Sequence, residues 1–174
     1  MNKSLFSLSF FFIFALYCSA IETGIVTGLP IPRYVSLRTD NAKLRVGPGK
    51  QYKTSYLYQC KNYPVKIIAE FDNWRKIEDI EKAQGWMHRS LLIGINYAIV
   101  QDNRLASRKN LAYKIAHNQA LIFEAPDEKS APVARLEFNV IVKIIKCQKE
   151  WCKVNIKNFT GWIRKVNLWG VNDN

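Results

Sequence analysis

Two patterns of apolar residues divide the chain. Residues 5–16 form a nearly unbroken apolar run, whereas after Ala20 the apolar segments are short and separated by polar residues and by Gly, Pro, Asn and Asp. Val65 to Ile68, Val140 to Ile145 and Lys153 to Ile156 are rich in β-branched side chains, which suit a pleated surface. Neither half sustains the apolar spacing of three and four that a helix needs, so the part after Ala20 is predicted to be all-β. The early run has Lys3 before it and Cys18-Ser19-Ala20 after it, the basic start and small-residue end of a secretory signal peptide cleaved after Ala20. It is shorter than the roughly 20 residues with which a helix crosses a bilayer, which disfavours a transmembrane anchor. The bulky Tyr17 before Cys18 disfavours lipid attachment.

An internal repeat organises the remainder. Shifted by 77 positions, Asn41 meets Asn118, Leu44 meets Leu121, Asn62 meets Asn139, and Val65-Lys66-Ile67-Ile68 meets Val142-Lys143-Ile144-Ile145. Trp74 and Lys76 fall on Trp151 and Lys153. At a shift of 76, Gly85-Trp86 meets Gly161-Trp162, Leu92 meets Leu168 and Gly94 meets Gly170. Each copy is near the lower size at which a domain folds alone, so the two are expected to support each other. The predicted organisation is a leader at 1–20, a first domain at 33–94, a connector at 95–110 and a second domain at 111–171. Within the connector, the apolar start reads as a strand or packed segment and Gln101 to Asn110 as an exposed loop.

The run Ala42-Lys43-Leu44-Arg45-Val46-Gly47-Pro48-Gly49 resembles the opening of bacterial SH3-like modules, a short strand ending in a Gly-Pro turn. Pro48 fixes one turn dihedral and the flanking glycines can take the positive φ values that a tight reversal needs. Glu70-Phe71-Asp72-Asn73-Trp74-Arg75 resembles a hairpin of the same module with Asp-Asn at its turn. Gly85-Trp86-Met87-His88 resembles the next strand, and Ser90-Leu91-Leu92 the closing turn. The second copy has Glu124-Ala125-Pro126 in place of Gly-Pro-Gly but keeps the hairpin from Cys147 to Cys152 and the end from Gly161 to Gly170. Over Arg33 to Val171 the chain is similar to exported proteobacterial proteins with two tandem SH3-like β-barrels. The resemblance implies binding of peptides or of cell-wall peptidoglycan.

Cys60, Cys147 and Cys152 remain after leader removal, in a compartment that permits disulfides. Cys147 and Cys152 sit across a hairpin mouth, where a bridge would contribute about 2 kcal/mol; two buried thiols are the alternative. Their counterparts in the first copy are Glu70 and Arg75, so one copy is expected to use an ion pair where the other uses a covalent link. Four intervening residues and the lack of a βαβ surround argue against a redox pair. Cys60 is expected to be buried as a small apolar side chain.

Papain-like cell-wall peptidases often carry SH3-like modules, but only His88 and His117 are available as a base, and the barrel pattern consumes both copies. The chain is therefore expected not to be an enzyme, and the Cys and His spacings supply no zinc set and no cofactor. Glu70, Asp72, Glu78, Asp79 and Glu81 are read as a solvated face, since glycosidase carboxylates need a deep cleft.

Charge separates the copies. The formal net charge is +12. From Val65 to Arg89 it balances to zero, whereas from Val142 to Lys165 seven basic residues face only Glu150. Alternation puts Lys153, Asn155 and Lys157 opposite Val154 and Ile156. A long-range partner should be anionic, and after export that means peptidoglycan or another anionic envelope polymer rather than nucleic acid. The candidate ligand-binding residues are Lys153, Lys157 and Lys165 with Trp151 or Trp169, and in the first copy Tyr56, Tyr58 and Trp74, with Tyr52 and Tyr63 lining the same groove. Trp86, Trp162 and Phe71 are expected in the core. The alternative is a periplasmic adaptor that docks peptide segments of an envelope enzyme.

Overall fold

The computed structural model of the protein describes residues 22–94, 96–101 and 119–172. The predicted leader, most of the loop from Gln101 to Asn110, and His117 lie outside the described residues.

The first copy folds as β1 (Arg33–Leu37), β2 (Ala42–Arg45), β3 (Thr54–Tyr58), β4 (Pro64–Phe71), β5 (Trp74–Glu78), β6 (Gln84–His88), a 3-10 turn (Arg89–Leu91) and β7 (Leu92–Ile93). The second repeats this with β8 (Tyr97–Val100), β9 (Gln119–Phe123), β10 (Pro132–Glu137), β11 (Ile141–Gln148), β12 (Trp151–Ile156), β13 (Phe159–Arg164), a 3-10 turn (Lys165–Asn167) and β14 (Leu168–Trp169). The sheets run β3-β2-β6-β5-β4-β1-β7 and β10-β9-β13-β12-β11-β8-β14, the same order strand for strand. All pairings are antiparallel, and the expected all-β pair of SH3-like units is borne out.

The structure moves one boundary. Tyr97–Val100, within the expected connector, pairs with β11 and β14 as β1 pairs with β4 and β7, so the second sheet begins before residue 111. Val100 stands where Leu37 stands, a shift of 63 against the 77 that relates Val65 to Val142. Ala120 stands where Ala42 stands, a shift of 78, and the difference, 78 minus 63, places 15 extra residues between the first and second strands of the second unit.

The register differs too. Ala120 and Ile122 are buried, as are Ala42 and Leu44, whereas Leu121 is 37 % exposed. The true shift in this strand is 78, and pairing Leu44 with Leu121 is a one-residue slip that would turn each side chain to the wrong face. Trp86 pairs with Arg45 and Trp162 with Phe123, which confirms it. The preceding glycine is required in both units by close approach. A Cβ on Gly85 would lie 2.9 Å from the Arg45 carbonyl oxygen, and one on Gly161 would lie 2.7 Å from that of Phe123.

Each unit has its own core, with matched positions filled differently: Leu37 and Val100, Leu44 and Ile122, Tyr58 and Leu136, Ile77 and Val154, Met87 and Ile163. Asn62 and Asn139 both have φ of 67°, a left-handed conformation that asparagine tolerates, and this accounts for their recurrence. Gly47 and Gly49 do not use the positive φ open to them, which among the described glycines belongs to Gly28 and Gly170. Gly47 instead makes room for the Tyr52 ring, 2.5 Å from where its Cβ would be. Two aromatic expectations fail. Phe71, at the hairpin tip, is 54 % exposed, and Trp86 is only half-buried because the adjacent Met87 takes the inward position.

The units touch. The Asn172 side chain accepts from the Tyr34 amide at 2.7 Å and donates to the Tyr34 carbonyl at 3.2 Å. The Tyr97 amide donates to buried Ser36 Oγ at 3.2 Å, and the Tyr34 and Trp169 rings meet edge to face at 5.1 Å.

Candidate binding site

The hairpin mouth shows how the units part in chemistry. Cys147 faces Cys152 in register and the two are joined, with Cα atoms 4.0 Å apart. Glu70 faces Arg75 at the same place, with Arg75 Nε 3.4 Å from Glu70 Oε1. The expected exchange of a covalent link for an ion pair is present. Glu70 does more than pair with Arg75. Its fully buried carboxylate accepts from the Val26 and Thr27 amides at 3.0 and 2.8 Å, from Thr27 Oγ1 at 2.7 Å and from Arg33 Nη2 at 2.6 Å. Burial alone would raise its pKa; the Arg33 and Thr27 hydrogen bonds and the Val26 amide outweigh this and lower it to about 2. Glu70 thus fastens the segment before β1 onto the sheet.

The acidic residues do not form one solvated face. Glu70 and Asp79 are each only 5 % exposed. Asp79 accepts from the Tyr58 hydroxyl at 2.8 Å and from the Glu81 and Ala83 amides at 3.0 and 2.9 Å. Glu78 bonds to Gln84, Lys82 and Lys66, which together lower its pKa.

In the second unit, Lys153 follows the predicted alternation. Val154 is buried and the neighbours Lys153 and Asn155 turn outward. Lys157 has φ of 50° and forms the tight turn into β13 rather than continuing the strand. Lys146 stands directly opposite Lys153, and Lys153 opposite Trp162. Like charges placed opposite each other are destabilising. Among the described residues no carboxylate lies within ion-pair distance of either lysine, the one ion pair of this unit being Arg164 to Glu128 at 3.1 Å. Lys146 Nζ sits 5.5 Å from the Trp162 ring centre, which explains why Trp162 is buried although it points outward. Beside it, the Arg164 guanidinium lies 5.6 Å from the Trp151 ring, and Trp151 meets Phe123 edge to face at 5.8 Å. Arg164 Nε is buried without a hydrogen-bond partner among the described residues. The result is a basic face with an aromatic floor, built from Lys146, Trp151, Lys153, Trp162 and Arg164. Lys146 and Arg164 were absent from the sequence-predicted set; the cross-strand pairing that selects them has no signal in the chain itself.

Other predicted residues are placed elsewhere. Lys165 lines a cleft that Lys146 also borders, and Trp169 packs on Tyr34 between the units. Tyr58 occupies the core position of Leu136 and does not line a groove, and burial, with its hydrogen bond to Asp79, raises its pKa. Trp74 is 8 % exposed and stacks edge to face on His88 at 5.4 Å. Tyr56, 58 % exposed, and Tyr52, 41 % exposed, remain open. Tyr63 packs on Tyr58 and is pushed up to about 12, first by burial and then by Asp79. Cys60 is exposed rather than buried, lying in the turn that follows β3. His88 Nδ1 meets Ser90 Oγ at 2.7 Å and caps the 3-10 turn. No group of three or more His, Cys, Asp or Glu suited to a metal ion occurs among the described residues, and none of their helices is long and apolar enough to cross a membrane.

The family comparison agrees with the division into two repeats. A profile described as Bacterial SH3 domain matches residues 38–94 and 116–170, one match per repeat. No curated protein matches. Among solved structures, NlpC2 and NlpC1 from Trichomonas vaginalis are 16 % and 15 % identical, each over 79 % of this chain and over 48 % and 45 % of their own, with TM-scores of 0.33 and 0.34. An NlpC/P60 family protein from Bacillus cereus is 12 % identical over 78 % of this chain and 55 % of its own, with a TM-score of 0.32. The chain thus spans about half the length of each.

Proposed function

Because the chain belongs to the bacterial SH3 domain family through both of its repeats, we propose that it is an exported, non-catalytic binding protein whose second unit holds an anionic polymer of the cell envelope, peptidoglycan foremost. The observation that carries this is the opposed pair Lys146 and Lys153, left without a carboxylate beside Trp151 and Trp162. Two lysines opposite each other across a strand pair gain from an anion bound beside them, and flat rings suit the faces of sugars.

The test is co-sedimentation of the chain from Ile21 to Asn174 with purified peptidoglycan, alongside a variant carrying Lys146→Gln and Lys153→Gln. Saturable pelleting that the double variant loses supports the reading. No pelleting at low salt overturns it and turns the search to envelope proteins docked by peptide segments.

A further inference from the structure

A second basic concavity lies in the first unit, away from the face just described. It is a cleft of about 460 Å3 walled by Arg33, Arg38, Arg75 and Arg89, with His88 at one end and Val35, Ile67, Leu92 and Ile93 along its floor. No acidic residue lines it. Glu70, behind the wall, engages Arg33 and Arg75. Arg38 directs Nε and Nη2 to the Leu92 carbonyl at 3.4 and 3.2 Å, and Arg89 gives Nε to Asn73 Oδ1 at 2.8 Å. Neither Arg38 nor Arg89 has a carboxylate within ion-pair distance among the described residues, so two guanidinium groups lack a counter-charge around an apolar floor.

The second unit builds a cleft at the matching place. Asn96, Ile144 and Lys165 there stand where Arg33, Ile67 and Arg89 stand in the first, with Lys146 and Lys149 added. The side chains differ while the position and the sign of the charge recur.

We infer that the first cleft is a binding site for the free carboxylate of a short peptide. Guanidinium groups present forked donors that match a carboxylate, and the floor accepts the small apolar side chains beside it. A bare phosphate would gain nothing from that floor. The segment before β1 belongs to the site, since Leu29 lines the cleft and Glu70 holds that segment in place. This site is independent of the polymer-binding face of the second unit, and the failure of either leaves the other standing.

The experiment is an NMR titration of the 15N-labelled chain from Ile21 to Asn174 with three probes: acetyl-Ala-Val-Ala with a free C-terminal carboxylate, the same peptide amidated at its C-terminus, and inorganic phosphate. The free acid should shift the amide signals of Leu92, Ile93 and Gly94 and the His88 ring. The amidated peptide should bind at least about ten-fold more weakly, and so should the free acid to a variant with Arg38→Gln and Arg89→Gln. That variant leaves Glu70 and its partners untouched, and unchanged signals from the buried residues of β4 and β5 would report its intact fold. Equal binding of acid and amide, equal binding of phosphate, unaltered affinity in the variant, or shifts confined to the second unit would each overturn the assignment.

Discussion

Replacing Glu70 by Gln tests the central contact of the first unit. The carboxylate has no solvent exposure and is drawn down to a pKa of about 2 from the ordinary 4.5. At 1.36 kcal/mol per pKa unit that difference amounts to about 3 kcal/mol of stability. A similar figure, about 3–5 kcal/mol, follows from leaving a buried partner, here Arg75, without its counter-charge. Since the folded-state pKa lies below the unfolded one, this contribution is fully present above pH 4.5 and disappears as the pH falls towards 2. Urea unfolding of the chain and of Glu70→Gln, followed by tryptophan fluorescence at several pH values, should show a gap of about 3 kcal/mol at pH 7. That gap should narrow between pH 4.5 and 2. The variant should also be cleaved readily between Ile25 and Leu29 by a non-specific protease, because the clasp on Val26 and Thr27 is gone. A gap that stays constant across this pH window would refute the reasoning.

Three further outcomes are expected. Reducing Cys147–Cys152, or changing both to Ser, should cost about 2 kcal/mol and lower the melting temperature of the second unit by about 12 °C; an unchanged melting curve would show that the bridge carries no stability. Gly161→Ala should cost about 1–3 kcal/mol, because its Cβ would collide with the Phe123 carbonyl. Gly94→Ala, with nothing within 4 Å of its Cβ, should be silent by the same denaturation assay. The chain from Ile21 to Asn174 should take up one equivalent of iodoacetamide, at Cys60, more slowly at pH 7 than a free thiol does, since partial desolvation and then Asp40 raise its pKa; mass spectrometry that places the label elsewhere would contradict this.

The repeat, the hairpins and the exchange of Glu70 and Arg75 for two cysteines were legible because each depends on residues close in sequence or on a recurring spacing. What escaped depends on long-range pairing. Ala120 to Phe123 is apolar throughout, so alternation could not choose between registers, and the identity of Leu44 with Leu121 suggested the wrong one. Tyr97–Val100 stood apart because 15 additional residues part it from the rest of its unit. Glu70 looked like a surface acid since its donors come from residues 26, 27 and 33, about 40 positions upstream. Tyr58 and Trp74 resembled ligand platforms by residue type alone, whereas packing put one in the core and the other beneath His88. The basic face was half legible: alternation found Lys153, and only sheet pairing brought Lys146 and Arg164 beside it.

The contact at Asn172 has a consequence for attachment. Its amide closes on both backbone groups of Tyr34 as a neighbouring strand would, and Trp169 braces the joint. Two sites carried on units joined in this way keep a set separation instead of sampling many, as they would on a loose tether. A partner with two anchoring groups at that spacing engages the second at high effective concentration, while one with the same groups at another spacing gains only a single hold. If both proposed sites bind, the chain would act as a gauge, selecting its partner by the distance between features as well as by their chemistry.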